Sequence, residues 1–363
     1  MMDKLFTQEQ IDKLPTILGV VEQISSLENE SALRFISSIP SPEHLDEGRF
    51  CFVSEGRNRE FVRLMPTSQS PFNYYRGQSK YHSPCVPTLY RGQKNGELPS
   101  EFDIAGKCLK ICEFTLLVNT HPVYRYVSKQ YTENPIALAQ HYGLDTFYLD
   151  ITNSKWVAAF FAATRYDWET DTYHPVGRDY GDGFGVMYLS KYTDIQNIPD
   201  KFFEKNGVIG YQYFERPTKQ SSFGYGMSMG EDFNESPFFD KVFFRHDLVA
   251  SQIVYSMAYN QNRFIPRDLL SKLARMISVS KEVTRNAVGL CLQMFYADRE
   301  QSFLDEVCRL KGWRIREDNT PIAEFGKAVL EADWNDWVRF GRADIESRTL
   351  PIIPLADLEI PEK

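Results

Sequence analysis

The sequence predicts an α+β protein with small mixed or antiparallel sheets flanked by helices. Three observations carry that prediction. Strand and helix patterns follow one another in mixed order, without strict β–α alternation. The stretch 134–164 reads as helix, glycine, strand, polar cluster, helix. Helical patterning dominates both ends of the chain.

The elements follow in order. Residues 1–45 form a helical lead-in, opened by Thr7 and Gln10 as a capping box. Ser37–Pro42 and Glu47–Gly48 are loops, and Phe50–Val53 and Phe61–Met65 are short strands. Phe72–Tyr75 is an aromatic strand that runs into Arg76–Gly77, after which Ser83, Pro84 and Pro87 keep the chain irregular. Ser100 with Asp103 starts a helix through Ile104, Cys108, Ile111 and Leu116, with His121–Pro122 beyond its end. Asn134 caps the next helix, Pro135 suits its first position, and Gly143 fits the left-handed residue after its last turn. Thr146–Leu149 is β-prone, and Thr152, Asn153 or Ser154 caps a helix holding Trp156, Val157, Phe160 and Phe161. Residues 165–183 read as a long acidic loop; Val186–Leu189, Val208–Phe214 and Val242–Phe244 read as strands. From Leu248 to about Phe303 the pattern is helical, with Pro266 opening a helix, and Pro351, Pro354 and Pro361 mark an extended tail. These divisions give a lead-in over 1–49, a central domain over 50–275 and a helical extension over 276–363.

With 363 residues, 42% apolar and 25% charged, the chain has ample material for a core, and wholesale disorder is excluded. Lys and Arg total 41 against 49 Asp and Glu, a net charge of −8, so a sequence-independent nucleic-acid binder is not expected. The longest apolar run, Trp156–Ala163, is far below the roughly 20 residues of a membrane helix. Met1–Phe6 has no secretory core, and the six scattered cysteines read as reduced thiols, so a cytoplasmic protein is expected. Cys108 and Cys112 sit one helical turn apart without CxxC or HxxxH companions, so no metal is predicted.

Three segments carry candidate chemistry. In Tyr75–Arg76–Gly77–Gln78, glycine admits a ligand close to the backbone and arginine suits phosphate; a turn glycine beside a structural arginine is the other reading. In the second segment, Gln140, His141 and Tyr142 are followed by Asp150, Thr152 and Asn153 at a strand end that feeds a helix. Unpaired donors of a first helical turn favour an anion or polar ligand there; ordinary capping uses the same residues. His141 is either a base or ligand-orienting group, or a buried hydrogen-bonding group at a helix end. In the third segment, 216–223, Gln220 can hold ribose hydroxyls but cannot act as a base.

Taken together these segments resemble the FRG domain, named for a Phe/Tyr-Arg-Gly motif. YYRGQS at 74–79, PTLYR at 87–91, ALAQHYGLDTFYLDITNSKWVAAFFA at 137–162, RPTKQSSF at 216–223 and RFIPRDLL at 263–270 occur in the family's order, over about 200 residues. The motif order is similar to that of ADP-ribosyltransferases, which implies a core of that type. By position, Arg76 would hold the pyrophosphate or ribose of NAD. Asp150, Thr152 and Asn153 would occupy the Ser/Thr cluster, and Gln220 would stand where the catalytic Glu is expected. Tyr142 or Phe223 would stack on nicotinamide, and Tyr75, Gly77, Gln78 and Gln140 would complete the binding surface. Gln220 departs from the pattern, because an amide supplies no negative charge. On an extended strand Glu215 would face away from Gln220, leaving Asp150 as the carboxylate of the cluster.

The resemblance implies an enzyme that takes NAD as substrate and cleaves its nicotinamide–ribose bond by transfer or hydrolysis, as a toxin or phage-defence effector. Arg76, His141, Asp150 and Gln220 would carry the chemistry. The alternatives are a nucleotide-binding sensor module without chemistry, and a protein-interaction scaffold. The expected partners are a nucleotide or dinucleotide and a macromolecular acceptor or protein partner, with no membrane.

Overall fold

A computed structural model of the protein describes residues 5–38, 50–55, 61–66, 74–92, 97–129, 134–190, 206–209, 214–220, 222–259, 261–266, 268–318 and 320–341. The proline-containing tail and the first half of the Phe72–Tyr75 strand expected from the sequence lie outside these residues.

The main sheet is wholly antiparallel. Its order is β10 (Phe239–Arg245), β7 (Phe184–Ser190), β3 (Tyr75–Gln78), β4 (Tyr148–Thr152), β9 (Ser222–Gly226) and β8 (Asn206–Val208). Smaller two-stranded sheets pair β1 (Phe50–Glu55) with β2 (Phe61–Pro66), β5 (Thr164–Asp167) with β6 (Thr172–Pro175), and β11 (Glu282–Thr284) with β12 (Arg314–Arg316), the last parallel. The fold is therefore mixed helix and antiparallel sheet, the coarse architecture expected from the sequence.

The helices follow in chain order. They are α1 (Gln8–Lys13), α2 (Ile17–Ser38), α3 (Glu101–Val118), α4 (Pro122–Val127), α5 (Pro135–His141), α6 (Lys155–Ala163), α7 (Glu215–Lys219), α8 (Leu248–Met257), α9 (Leu269–Val279), α10 (Arg285–Phe295), α11 (Gln301–Leu310) and α12 (Lys327–Asp336). Local chemistry sets their ends. Thr7 and Gln10 form the reciprocal capping box, Ser100 accepts from the Asp103 amide, and Asn134 accepts from the Ala137 amide. No helix among the described residues is long and apolar enough to cross a membrane.

Alternating residues of the sheet divide between two cores. Tyr75, Met187 and Phe244 pack with α2, α6 and α8, where Phe160 is fully buried. Leu149, Ile151, Val186, Tyr188, Phe223 and Tyr225 pack on the other side with Phe233 and Phe239. Each such side chain contributes about 1.5–3 kcal/mol on burial. A third and a fourth core meet along α3. Phe114 and Leu117 pack with α5 and α9, while Cys108, Leu109 and Cys112 pack with Val288, Cys291 and Leu304. Residues beyond 276 thus share cores with the 101–118 helix.

One gap in this sheet positions the site. β3 pairs with β7 at four successive positions, and β4 pairs with β9 at five. Between β3 and β4 the register is one pair, Tyr75↔Thr152. The two strands part beyond it and open a cleft between two well-paired halves. Helix α6 seats against β3 because Gly77 has no side chain: a Cβ there would lie 1.8 Å from the Ala158 carbonyl oxygen.

Two expectations are corrected. The supposed loop at 165–183 contains the β5–β6 hairpin. The supposed strand over Val208–Phe214 is β8 at 206–208, followed after residues outside the description by α7, so the extended-strand argument separating Glu215 from Gln220 does not apply. His121–Pro122 lies beyond the end of α3 as expected, and opens α4 with proline at its first turn.

Candidate functional site

A cavity of about 500 Å³ fills the cleft between β3 and β4. It brings together Arg76, His141, Asp150, Thr152 and Gln220, which come from four separate segments of the chain. Gly77 and Gln78 also line it.

Each of these side chains is placed by its element. His141 ends α5, where Gly143 (φ 80°) turns the chain back; Gly143 N–H donates to the Gln140 carbonyl and Leu144 N–H to that of Ala139, both at 3.1 Å. Asp150 stands mid-strand in β4. Gln220 follows α7, with its backbone N–H on the Arg216 carbonyl at 3.1 Å. Arg216 fixes this corner by donating to the His141 carbonyl at 3.0 Å and to Ser271 Oγ at 2.8 Å.

The polar groups form a connected chain. Arg76 reaches across the cleft, and its Nη1 donates to the Asp150 carbonyl oxygen at 2.7 Å. Gln140 Nε2 donates to Asp150 Oδ2 at 3.3 Å, and Thr146 Oγ1 donates to Gln140 Oε1 at 2.6 Å. His141 Nδ1 meets Gln220 Oε1 at 3.0 Å, and Thr152 Oγ1 donates to the Gln220 carbonyl at 2.7 Å. With Nδ1 donating to Gln220, Nε2 of His141 is an acceptor when the imidazole is neutral and faces Asp150 as a donor when it is protonated. It lies 3.4 Å from Asp150 Oδ1.

Three buried atoms here have no hydrogen-bond partner: Arg76 Nε, His141 Nε2 and Asp150 Oδ1. Such orphans are costly and rare in folded proteins. Two are acceptors side by side, and the third is a cationic donor.

The walls are strongly positive. Arg76, Lys80, Arg91 and Arg165 stand against one carboxylate, Asp150. Burial, with the charges of Arg91, Arg76 and Lys80, lowers the pKa of His82 on the same wall. Aromatic surface comes from Phe161, Tyr166, Tyr173 and Tyr180. Burial and the neighbouring Asp171 push the Tyr166 phenol up to about 12, so it stays neutral. Among the described residues no group of three or more His, Cys, Asp or Glu is placed to hold a metal.

Several expected site residues are committed to other contacts, Tyr142, Phe223 and Asn153 outside the cavity and Tyr75 and Gln78 on its wall. Tyr75 points its ring into the α2–α6 core and donates its hydroxyl to Glu28 at 2.6 Å. Tyr142 is buried beside Phe114, donates to Asp268 at 2.6 Å and lies beneath the Arg216 guanidinium. Phe223 is buried edge-on to Tyr74. The stacking role given to Tyr142 or Phe223 is therefore corrected: both rings are spent on packing. Gln78 faces Cys85 Sγ at 3.5 Å, and Asn153 lies outside the cavity wall with a buried, unpartnered Oδ1. Sequence reasoning missed Lys80, Tyr166, Tyr173 and Tyr180. The aromatic and β-branched residues flanking the 168–171 turn were the available hairpin signal.

Fold and cleft define a mixed α/β protein with a cationic, tyrosine-lined cavity in a split antiparallel sheet. Residues 72–171 match the family model of the FRG domain, so the chain carries an FRG domain there. The match contains Arg76, Gln140, His141 and Asp150, and stops before Gln220. Neither the curated proteins nor the solved structures give a match.

Proposed function

We propose that the cleft binds NAD and breaks its nicotinamide–ribose bond. The observation that carries this reading is the trio of orphaned atoms. Two adjacent acceptors, His141 Nε2 and Asp150 Oδ1, suit the paired hydroxyls of a ribose. The Arg76 Nε–H, in a wall of four cations and one carboxylate, suits a phosphate oxygen. A ribose phosphate satisfies all three, and the tyrosines supply surface for its base.

In the reaction the C1′–N1 bond breaks and its electron pair leaves with nicotinamide, which departs neutral. The ribose carbon becomes an oxocarbenium-like centre. Asp150 is the carboxylate that offsets the new positive charge. Water or an acceptor hydroxyl then bonds to C1′ and gives up a proton, for which Asp150 is the nearby base. Gln140 holds Asp150, and Gln220 holds the His141 ring beside it.

The reading includes a cytoplasmic location, consistent with five buried free cysteines among the described residues. Loss of NAD is also the effect a toxin or phage-defence effector would use. A second reading, a nucleotide-binding module without chemistry, is favoured by one observation: the amide Gln220, not a second carboxylate, stands across from Asp150 on the far side of His141.

Incubation of the pure protein with NAD, followed by chromatography, separates the two. Nicotinamide release that Asp150→Ala lowers at least 100-fold supports the enzyme. Tight binding with intact NAD recovered supports the module. Failure of the wild-type protein to bind NAD defeats both.

A further inference from the structure

A second cavity, of about 410 Å³, lies between α3 and Trp313. Its walls carry Arg91, Lys107, Lys110 and Lys311 against Asp103 and Asp145, an excess of two cations. Arg91 also lines the first cavity, so the two adjoin at this residue.

The cations differ in what they have left to offer. Lys107 donates to the carbonyls of Thr88, Leu89 and Arg91 at 2.6, 3.4 and 3.3 Å. Its ammonium is committed, and its effect is to hold the 88–91 turn so that Arg91 stands between the cavities. Lys110 donates to the carbonyls of Ser280 and Glu282 at 2.7 and 3.2 Å and stands 4.3 Å over the Trp313 ring. Burial pushes its pKa down to about 8. Lys311 meets Asp103 at 2.9 Å and has two further N–H donors. Gly106 makes the passage for this side chain, since a Cβ there would lie 2.3 Å from Lys311 Cε. Arg91 donates Nε to the Val86 carbonyl at 3.0 Å, and its terminal nitrogens have no partner among the described residues.

We propose that this second cavity is a separate anion site, taking a small phosphorylated ligand between the Arg91 guanidinium and the Lys311 ammonium. Two positive groups with unspent donors face a concave space whose carboxylates do not balance them. Arginine grips phosphate through two parallel N–H bonds, and a second cation across the same concave space adds to the attraction. The proposal rests on this cavity's own walls and stands whether or not the first cavity cleaves NAD.

The test is a calorimetric titration of the full chain with pyrophosphate, carried out in an Arg76→Ala background that disables the first cavity. One molecule is expected to bind per chain, and adding Lys311→Gln or Arg91→Gln is expected to weaken binding at least tenfold. The Lys311–Asp103 pair is partly exposed and worth at most about 1 kcal/mol, so Lys311→Gln keeps the fold, which its melting temperature verifies. Loss of all pyrophosphate binding in Arg76→Ala alone overturns the proposal. So does a folded Lys311→Gln, Arg91→Gln pair that binds pyrophosphate unchanged.

Discussion

His141 and Asp150 face each other across 3.4 Å, Nε2 to Oδ1, and neither atom has a hydrogen-bond partner. The arrangement is held from behind. Gln220 fixes the far nitrogen of the imidazole, and Gln140 fixes the other carboxylate oxygen. Two acceptors are thereby presented to the cavity with their supports already in place, which is the condition for orienting a diol without rearrangement.

His141→Ala removes this support while leaving Arg76 in place. Nicotinamide release is expected to fall roughly 10- to 100-fold, with NAD affinity changing less than threefold. Steady-state kinetics beside a binding titration check the split. An equal loss in both would make His141 a general binding residue.

Gly77→Ala places a methyl group 1.8 Å from the Ala158 carbonyl. Either β3 or α6 has to move, at a cost of about 3 kcal/mol or more. A melting temperature lower by on the order of 5–10 °C is expected in thermal unfolding. An unaltered melting curve would mean that strand and helix separate freely.

Tyr75→Phe deletes a hydroxyl bonded to Glu28, which also pairs with Lys155. Since the hydroxyl is taken up by Glu28, a loss of about 1–2 kcal/mol in stability is expected, with nucleotide affinity changing little. Denaturant unfolding and a titration of the same sample read the two effects separately.

His246 is fully buried, with Nε2 on the Ser79 carbonyl at 2.9 Å, and burial lowers its pKa from the ordinary value of about 6.5. Between the folded and unfolded values the unfolded chain binds more protons. Stability is therefore highest above pH 6.5 and falls as pH drops toward the folded value. His121 shifts the same way. His246→Gln is expected to flatten part of the acid limb in a series of unfolding curves, and an identical slope would exclude His246 as a contributor.

Short-range chemistry was legible in the sequence. The Asn134–Pro135 start, the Gly143 turn and the Ser100 cap depend on residues three or four apart, and each forms. Position on a face was harder to read. Phe223 lies opposite Ile151 in the strand register, and both turn into the same core, a fact set by sheet pairing and not by aromatic character. The helical turn of α7 was not legible, and Glu215 and Gln220 were compared as on an extended strand, because its anchors are distant: Arg216 bonds to His141 and Ser271, 75 and 55 residues away. The meeting of Arg76 with Asp150 spans 74 residues, and it was reached through motif order, since no local period contains it.

The parting of β3 from β4 has a consequence for how this cleft is to be probed. Past Tyr75↔Thr152 the two strands form no further pair with each other, so backbone groups on the facing margins are open to other partners, as the Asp150 carbonyl is to Arg76. A guest lying there can be gripped by the polypeptide itself, which is identical under every side-chain replacement. Alanine scanning will then leave a residual affinity that belongs to no residue type, and backbone ester substitution at Gly77 or Asp150 is the modification that would expose it.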